Sequence, residues 1–386
     1  MAYYAWTFAD SSASITNVVR SMTYTLGRKS PDDAESTVAA QITLINNNEA
    51  TFPLTYNETV SLSFTIGATT YAQISGRVVA LAYDDEPGTG GNSSVTATLF
   101  NALGLNSQVE LTGSSIGAGT IAQQIATLNT LIDLDVNYFP SGGTSPYTMA
   151  AQTYTGSPTD YIRTLSNADN ATLYCDDYSN VNYWSYAQGF VRPPVTIGRT
   201  PTSTQLGYSS IRRRKFANPF YNQITVTSTS VASQTQTNAT SVTAYGKKAF
   251  NLDTFYDTTT QAADAASWYA NAWSTEQFCF EADFFVDTQN QTMWTQAGTA
   301  TTAGIADVSP MATCVFGGLP TYLNVLYRAP GAVVDTTVPC ILEGVTITAT
   351  PNGTYGTLYL TPATFYSRFI LDNSYFGILD TDRLGW

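Results

Sequence analysis

Thr59-Val-Ser-Leu-Ser-Phe-Thr-Ile66 alternates without a break: Val60, Leu62, Phe64 and Ile66 fall on one side of an extended chain, and Ser61, Ser63 and Thr65 on the other. Successive side chains of a strand leave opposite faces of the sheet, so a period of two predicts a half-buried strand. Gly67-Ala68 turns this strand, and Tyr71-Ala-Gln-Ile-Ser-Gly-Arg-Val-Val-Ala-Leu81 brings the chain back. Upstream, Ser36-Thr-Val-Ala-Ala-Gln-Ile-Thr-Leu-Ile45 reads as another strand, running into the turn Asn46-Asn47-Asn48. Asp84-Asp-Glu-Pro-Gly-Thr-Gly-Gly91 reads as an exposed loop. An antiparallel barrel or sandwich over residues 1–100 follows, since closure disposes of open strand edges.

After residue 100 the period changes. In Thr120-Ile-Ala-Gln-Gln-Ile-Ala-Thr-Leu-Asn-Thr-Leu-Ile132, Ile121, Ile125, Leu128 and Ile132 share one helical face, with Thr120 placed as N-cap. Ser157-Pro158 opens a second helix, with Tyr161, Ile162 and Leu165 inward, and Ala171–Asp176 follows as a strand. Residues 101–205 therefore read as a small α+β unit. From residue 206 the β pattern resumes: Asn222–Val231 and Thr235–Ala244 suggest a hairpin, and a helix is predicted over 260–274. Near the end, Glu343–Thr350 and Thr354–Thr361 flank Pro351-Asn352-Gly353, a strong hairpin signal. The expected class is β-rich α+β, in three stretches: 1–100, 101–205 and 206–386.

Composition narrows the function. Of 386 residues 43% are hydrophobic, enough for a sizeable core, while charged residues reach only 12%, about half the usual level of roughly 25%. The net charge of −13 argues against a nucleic-acid binder, whose affinity comes from Lys and Arg displacing counterions. There is no histidine, which removes Ser-His-Asp and Cys-His catalysis and the commonest zinc ligand. Cys175, Cys279, Cys314 and Cys340 lie far apart with no CxxC pair, so buried free thiols are expected. Neither a signal peptide nor a run long enough to span a membrane is visible.

Few constellations remain that carry chemistry. Paired carboxylates can hydrolyse glycosides without histidine, but neighbours such as Asp84-Asp85 or Asp176-Asp177 point to opposite faces of an extended segment and form no acid/nucleophile pair. Gly113–Thr120 precedes a helix but lacks the GxxxxGK[ST] pattern of a phosphate loop. No catalytic, cofactor-binding or metal-binding residue is assigned. Two groups stay as candidate contact sites. Arg212-Arg213-Arg214-Lys215 holds four of the sixteen basic residues in a row, and an inter-subunit anchor onto an acidic neighbour is favoured over nucleic-acid contact. Tyr183, Trp184 and Tyr186 form a candidate glycan platform, although most Tyr and Trp in a β protein are core or interface residues.

The chain end supplies a family resemblance. Arg368-Phe-Ile-Leu-Asp-Asn-Ser-Tyr-Phe-Gly-Ile-Leu-Asp-Thr-Asp-Arg-Leu-Gly-Trp386 resembles the close of minor tail proteins of long-tailed bacteriophages, as does the Leu342–Gly353 hairpin with Thr357-Leu-Tyr-Leu-Thr-Pro-Ala363. Asn222–Thr229 with Ser241–Thr254, the run Thr159–Cys175, and the opening Arg20–Arg28 with Ala39–Asn47 are similar to further segments of that family, in order. The resemblance implies a structural tail hub, similar to the baseplate hub of contractile phages. It would have two tail-tube-like β-barrels per chain, a peripheral α+β domain, and three chains closing a ring. Implied partners are the chain itself as a homotrimer, a tail-tube or distal tail protein above, and tip, spike or fibre proteins below. Genome DNA would pass through without specific binding, and the protein would reside in the virion after assembly in the host cytoplasm. A receptor- or carbohydrate-binding tail protein is the alternative, and a cell-wall glycosidase the third reading.

Overall fold

The computed structural model describes residues 6–10, 14–16, 18–31, 33–45, 52–66, 69–84, 93–132, 135–138, 147–175, 180–184, 195–199, 205–215, 220–275, 278–286 and 321–366. The alternating N-terminal stretches form β1 (Trp6–Ala9), β2 (Val19–Gly27), β3 (Val38–Ile45), β4 (Thr59–Ile66), β5 (Thr69–Asp84) and β6 (Ser94–Phe100). All six pair antiparallel in the order β1-β4-β5-β6-β3-β2. Val60 and Leu62 are buried as the alternation requires.

A helical layer follows: α1 (Ala102–Asn106), α2 (Ile121–Leu131) and α3 (Pro158–Asp169), among short strands β7 (Leu111–Ile116), β8 (Gly119–Thr120), β9 (Asp135–Tyr138), β10 (Thr148–Met149), β11 (Gln152–Gly156), β12 (Thr172–Cys175) and β13 (Asn180–Trp184). Thr120 closes a full capping box on α2: its hydroxyl accepts from the Gln123 amide, and the Gln123 side chain returns to the Thr120 amide. Ser157 caps α3, and Pro158 occupies its first turn. The C-terminal carbonyls of α3 are satisfied by tyrosines from three different elements. Tyr183 Oη donates to Leu165 O at 3.1 Å, Tyr269 Oη to Asn167 O at 2.7 Å, and Tyr256 Oη to Ala168 O. Asn170 ends the helix in the left-handed conformation, φ 47°.

Next come β14 (Val195–Gly198), β15 (Gln205–Gly207) and β16 (Ser210–Lys215), then a small unit of β17 (Gln223–Ser228), β18 (Gln234–Thr237), α4 (Ala239–Tyr245), β19 (Ala249–Thr254) and α5 (Thr259–Ala272). Here one sequence expectation is corrected. β17 and β18 do form the hairpin, but Ala239–Ala244, the second half of the expected strand Thr235–Ala244, lies in α4. Asn238 caps that helix by accepting from the Ser241 amide, and Ser241 Oγ donates to Ser274 O at 2.6 Å, so capping overrides the strand preference of Thr and Val.

The chain returns to the large sheet with β20 (Phe278–Val286), β21 (Thr321–Tyr327), β22 (Thr336–Thr350) and β23 (Gly353–Pro362), the last two forming the expected hairpin. β22 is the spine. Along one edge it pairs first with β21, through Thr336–Leu342, and then with β2, through Gly344–Ala349; β23 lies along the other edge. The N-terminal and C-terminal strands thus merge into one 13-stranded sheet. The β-rich expectation holds, whereas two separate closed barrels are not what the described strands form. Because β22 is long enough to serve two partners in succession, the described pairing runs through it as one open sheet.

Two apolar cores result. One gathers Met22, Ile42, Leu62 and Leu99 with Leu342, Val345, Ile347 and Leu360 inside the sheet system; the other joins Ile125, Leu128, Ile162 and Leu165 to Val226, Ala266, Tyr269 and Trp273 in the helical layer. Cys175, Cys279 and Cys340 are buried, and Cys314 lies outside the described residues.

The crossing of β2 and β22 is tight. A Cβ on Gly344 would sit 2.4 Å from Arg28 O and 2.6 Å from Leu26 O, whereas one on Gly117 would meet nothing within 4 Å. Gly344→Ala is expected to cost roughly 3 kcal/mol or more and to lower the thermal midpoint by many degrees, with Gly117→Ala near neutral. Paired thermal melts of the two variants check this.

Candidate functional site

Sequence reasoning singled out the basic run, and the structure places it on β16 at an edge of the sheet, antiparallel to β20 with Arg212 opposite Glu281 and Arg214 opposite Cys279. Arg212 and Arg214 share one face of the strand. Arg212 Nη2 lies 3.0 Å from Asp283 Oδ2 and its Nε 3.6 Å from Glu281 Oε2, while Arg214 Nε lies 3.0 Å from Glu281 Oε1. Arg213 faces the other way, its guanidinium over the rings of Phe278 and Tyr327 at 5.1 and 4.9 Å. Lys215 ends the strand. The acidic partners of this run therefore include residues of the same chain. Burial alone would raise the Asp283 carboxyl, but hydrogen bonds from Ser210, Thr357 and Arg212 outweigh it and hold the group below its ordinary value. Arg212 and Arg214 keep about half their side chains in solvent, 54% and 48%, so these pairs contribute on the order of 0–1 kcal/mol each.

Of the glycan candidates, two lie among the described residues. Tyr183 is fully buried, its hydroxyl spent on α3; Trp184 is half-buried at the end of β13; Tyr186 lies outside the described residues.

The most constrained polar site was missed by the sequence. Arg28 leaves β2 directly after Gly27, and Glu343 lies where the β22–β23 register shifts, between Leu342 and Gly344. Arg28 Nε donates to Glu343 Oε2 at 2.9 Å, and its Nη2 to Tyr366 Oη at 3.0 Å; Tyr366 Oη in turn donates to Glu343 Oε1 through a short hydrogen bond. Glu35 continues the cluster, 3.6 Å from Arg28 Nη1 and 3.7 Å from Arg163 Nε on α3, and Arg163 Nη2 donates to Glu35 O at 3.1 Å. Two arginines thus face the two buried carboxylates, and Arg163 Nη1 also lies 3.8 Å from the exposed Asp160. Burial opposes the charge on Arg28, yet Tyr366, Glu343 and Glu35 together push its pKa well above the ordinary value. Tyr366 is held neutral by burial and by the adjacent Glu343. The signal in the sequence was a lone charge inside an apolar strand, Leu342-Glu343-Gly344-Val345.

Beside this cluster lies a cavity of about 260 Å³, lined among others by Asp33, Glu35, Arg163, Asn170, Phe250 and Trp273. It sits where the loop after β2, the end of α3, β19 and α5 converge. No group of three or more His, Cys, Asp or Glu that could hold a metal occurs among the described residues, and no helix there is long and apolar enough to cross a membrane.

With this geometry in place, similarity to solved structures becomes interpretable. A tail protein from Neisseria meningitidis superposes with a TM-score of 0.62 at 10% identity, covering 95% of this chain and 98% of that one. A 43 kDa tail protein of prophage MuSo2 from Shewanella oneidensis gives 0.59 at 10% identity, covering 94% and 98%. A component of the E. coli type VI secretion system, itself structurally similar to the T4 bacteriophage tail proteins gp27 and gp5, gives 0.50 at 9% identity, covering 92% and 76%. No family model matches the sequence, and no curated protein does. The chain has the β-rich fold of phage tail proteins, and the resemblance seen in its sequence holds at the level of the fold.

Removing one partner of the buried pair leaves the other charge uncompensated. Arg28→Met and Glu343→Leu are each expected to destabilise by about 3–5 kcal/mol, while the double variant Arg28→Met/Glu343→Leu recovers most of the loss. Denaturant titrations of the single and double variants measure the coupling.

Proposed function

We propose that this chain is a structural component of a phage-type tail, a hub that links the tail tube to the tip. The observation that carries the reading is the fold, matched nearly end to end with tail proteins from Neisseria and Shewanella. In this reading three copies close a ring. The parts of the sheet on either side of β22 serve as the two tube-like units of the ring, and the helical layer containing most of residues 101–205 faces outward. A tube or distal tail protein sits above the ring and tip, spike or fibre proteins below.

The charge supports the same reading. With −13 spread over 386 residues, an acidic channel wall repels the DNA that passes through it and keeps the genome from sticking during ejection. Such a role calls for rigid β scaffolding and shape, and none of the described residues has to carry a reaction. The protein works as a mechanical part of the virion.

The test is the mass and symmetry of the purified chain, by light scattering and electron-microscope class averages. Threefold rings with a central hole and an acidic lumen are expected. A monomer that binds or cuts bacterial glycans would contradict the hub, and a ring with a basic lumen would remove the channel argument.

A further inference from the structure

Val333 and Val334 are 87% and 70% exposed, the most exposed large hydrophobic side chains among the described residues. They sit at the tip of the β21–β22 hairpin, directly after a hydrogen-bonded turn. Ala329-Pro330-Gly331-Ala332 forms a tight turn: the Ala332 amide donates to Ala329 O at 3.0 Å, and Gly331 has φ +80°, as a type II turn with Pro at its second position requires. Below the valines, Arg328 Nε and Asp335 Oδ1 form an ion pair at 2.8 Å across the neck. A pre-organised apolar knob loses little entropy on docking.

The knob cannot serve its own chain's cavity. Eight residues of hydrogen-bonded strand separate Thr336 from Gly344, about 26 Å, and the hairpin tip points away from the end of β22 that meets Arg28. The cavity adjoins Arg28 at that distant end. Its walls combine apolar surface, from Pro31, Phe250, Leu252 and Trp273, with the exposed Asp33 and the partly exposed Arg163. Knob and cavity match in chemistry. The cavity's other charges, Arg28, Glu35 and Arg163, are already paired with one another, which leaves the exposed Asp33 at its rim to face Arg328 of the knob. A protrusion and a recess on different parts of one chain make a heterologous contact, the type that closes rings.

We propose that the Val333–Val334 knob of one copy docks in the Asp33–Trp273 cavity of the next. The inference rests on the ring reading above and names its contact. It is tested with the full chain carrying a benzoylphenylalanine photo-cross-linker at position 333, mixing isotope-labelled and unlabelled copies. Light-to-heavy cross-links to peptides around Asp33, Phe250 or Trp273 are expected. Val333→Asp/Val334→Asp, which alters exposed side chains and leaves the fold intact, weakens association by at least about tenfold, as does Asp33→Lys. Rings that persist in Val333→Asp/Val334→Asp, or cross-links that map elsewhere, overturn this contact and leave the ring standing. A wild-type chain that forms no ring and no cross-link between copies removes both.

Discussion

Arg28 and Glu343 lie 315 positions apart in the chain, and their ion pair at 2.9 Å sets where β2 meets β22. Both are buried, Glu343 completely. Such a pair adds little net stability, since desolvating two charges offsets most of their attraction. Its effect is on register. In a sheet with one buried face, a slip of one residue turns every side chain to the opposite face. Here a slip would also leave Glu343 without Arg28 in a dry site, an error too costly to populate. Gly344 adds a steric condition at the same place, because the backbone of Leu26 and Arg28 fills the position of a Cβ. Charge and sterics therefore select one alignment of two strands from opposite ends of the sequence.

From that alignment the rest of the architecture follows. Glu35 carries the cluster onward to Arg163, which fixes α3 against the sheet. The C-terminal end of α3 is then gripped by Tyr183, Tyr256 and Tyr269, which arrive from β13, the segment after β19, and α5. One helix end thus gathers three parts of the helical layer, and its carbonyls are satisfied by hydroxyls that also bury large aromatic surfaces. The cavity lies beside this junction, between the two cores.

Local features were legible in the sequence. The alternation of Val60 and Leu62, the Thr120 N-cap, the Ser157-Pro158 start and the turn before Gly353 each depend on neighbours within a few positions, and each appears where the pattern put it. What escaped depends on distant partners. Nothing near Ser241 announces that its hydroxyl will bond Ser274, so α4 was read as strand. The intrachain partners of Arg212 and Arg214, Glu281 and Asp283, come about 70 residues later and leave no trace in the run Arg212–Lys215 itself. The long pairing of β2 with β22 was invisible for the same reason: a strand's sequence states which face is buried but not which strand lies beside it.

If the seam governs the fold, the two ends of the chain must open together. Native-state hydrogen exchange reads this directly, through the β2–β22 amides of Met22–Gly27 and Gly344–Ala349. The account predicts that both sets exchange with one common free energy, the highest in the protein. Separate opening of the N-terminal and C-terminal strands, at clearly different free energies, would contradict it.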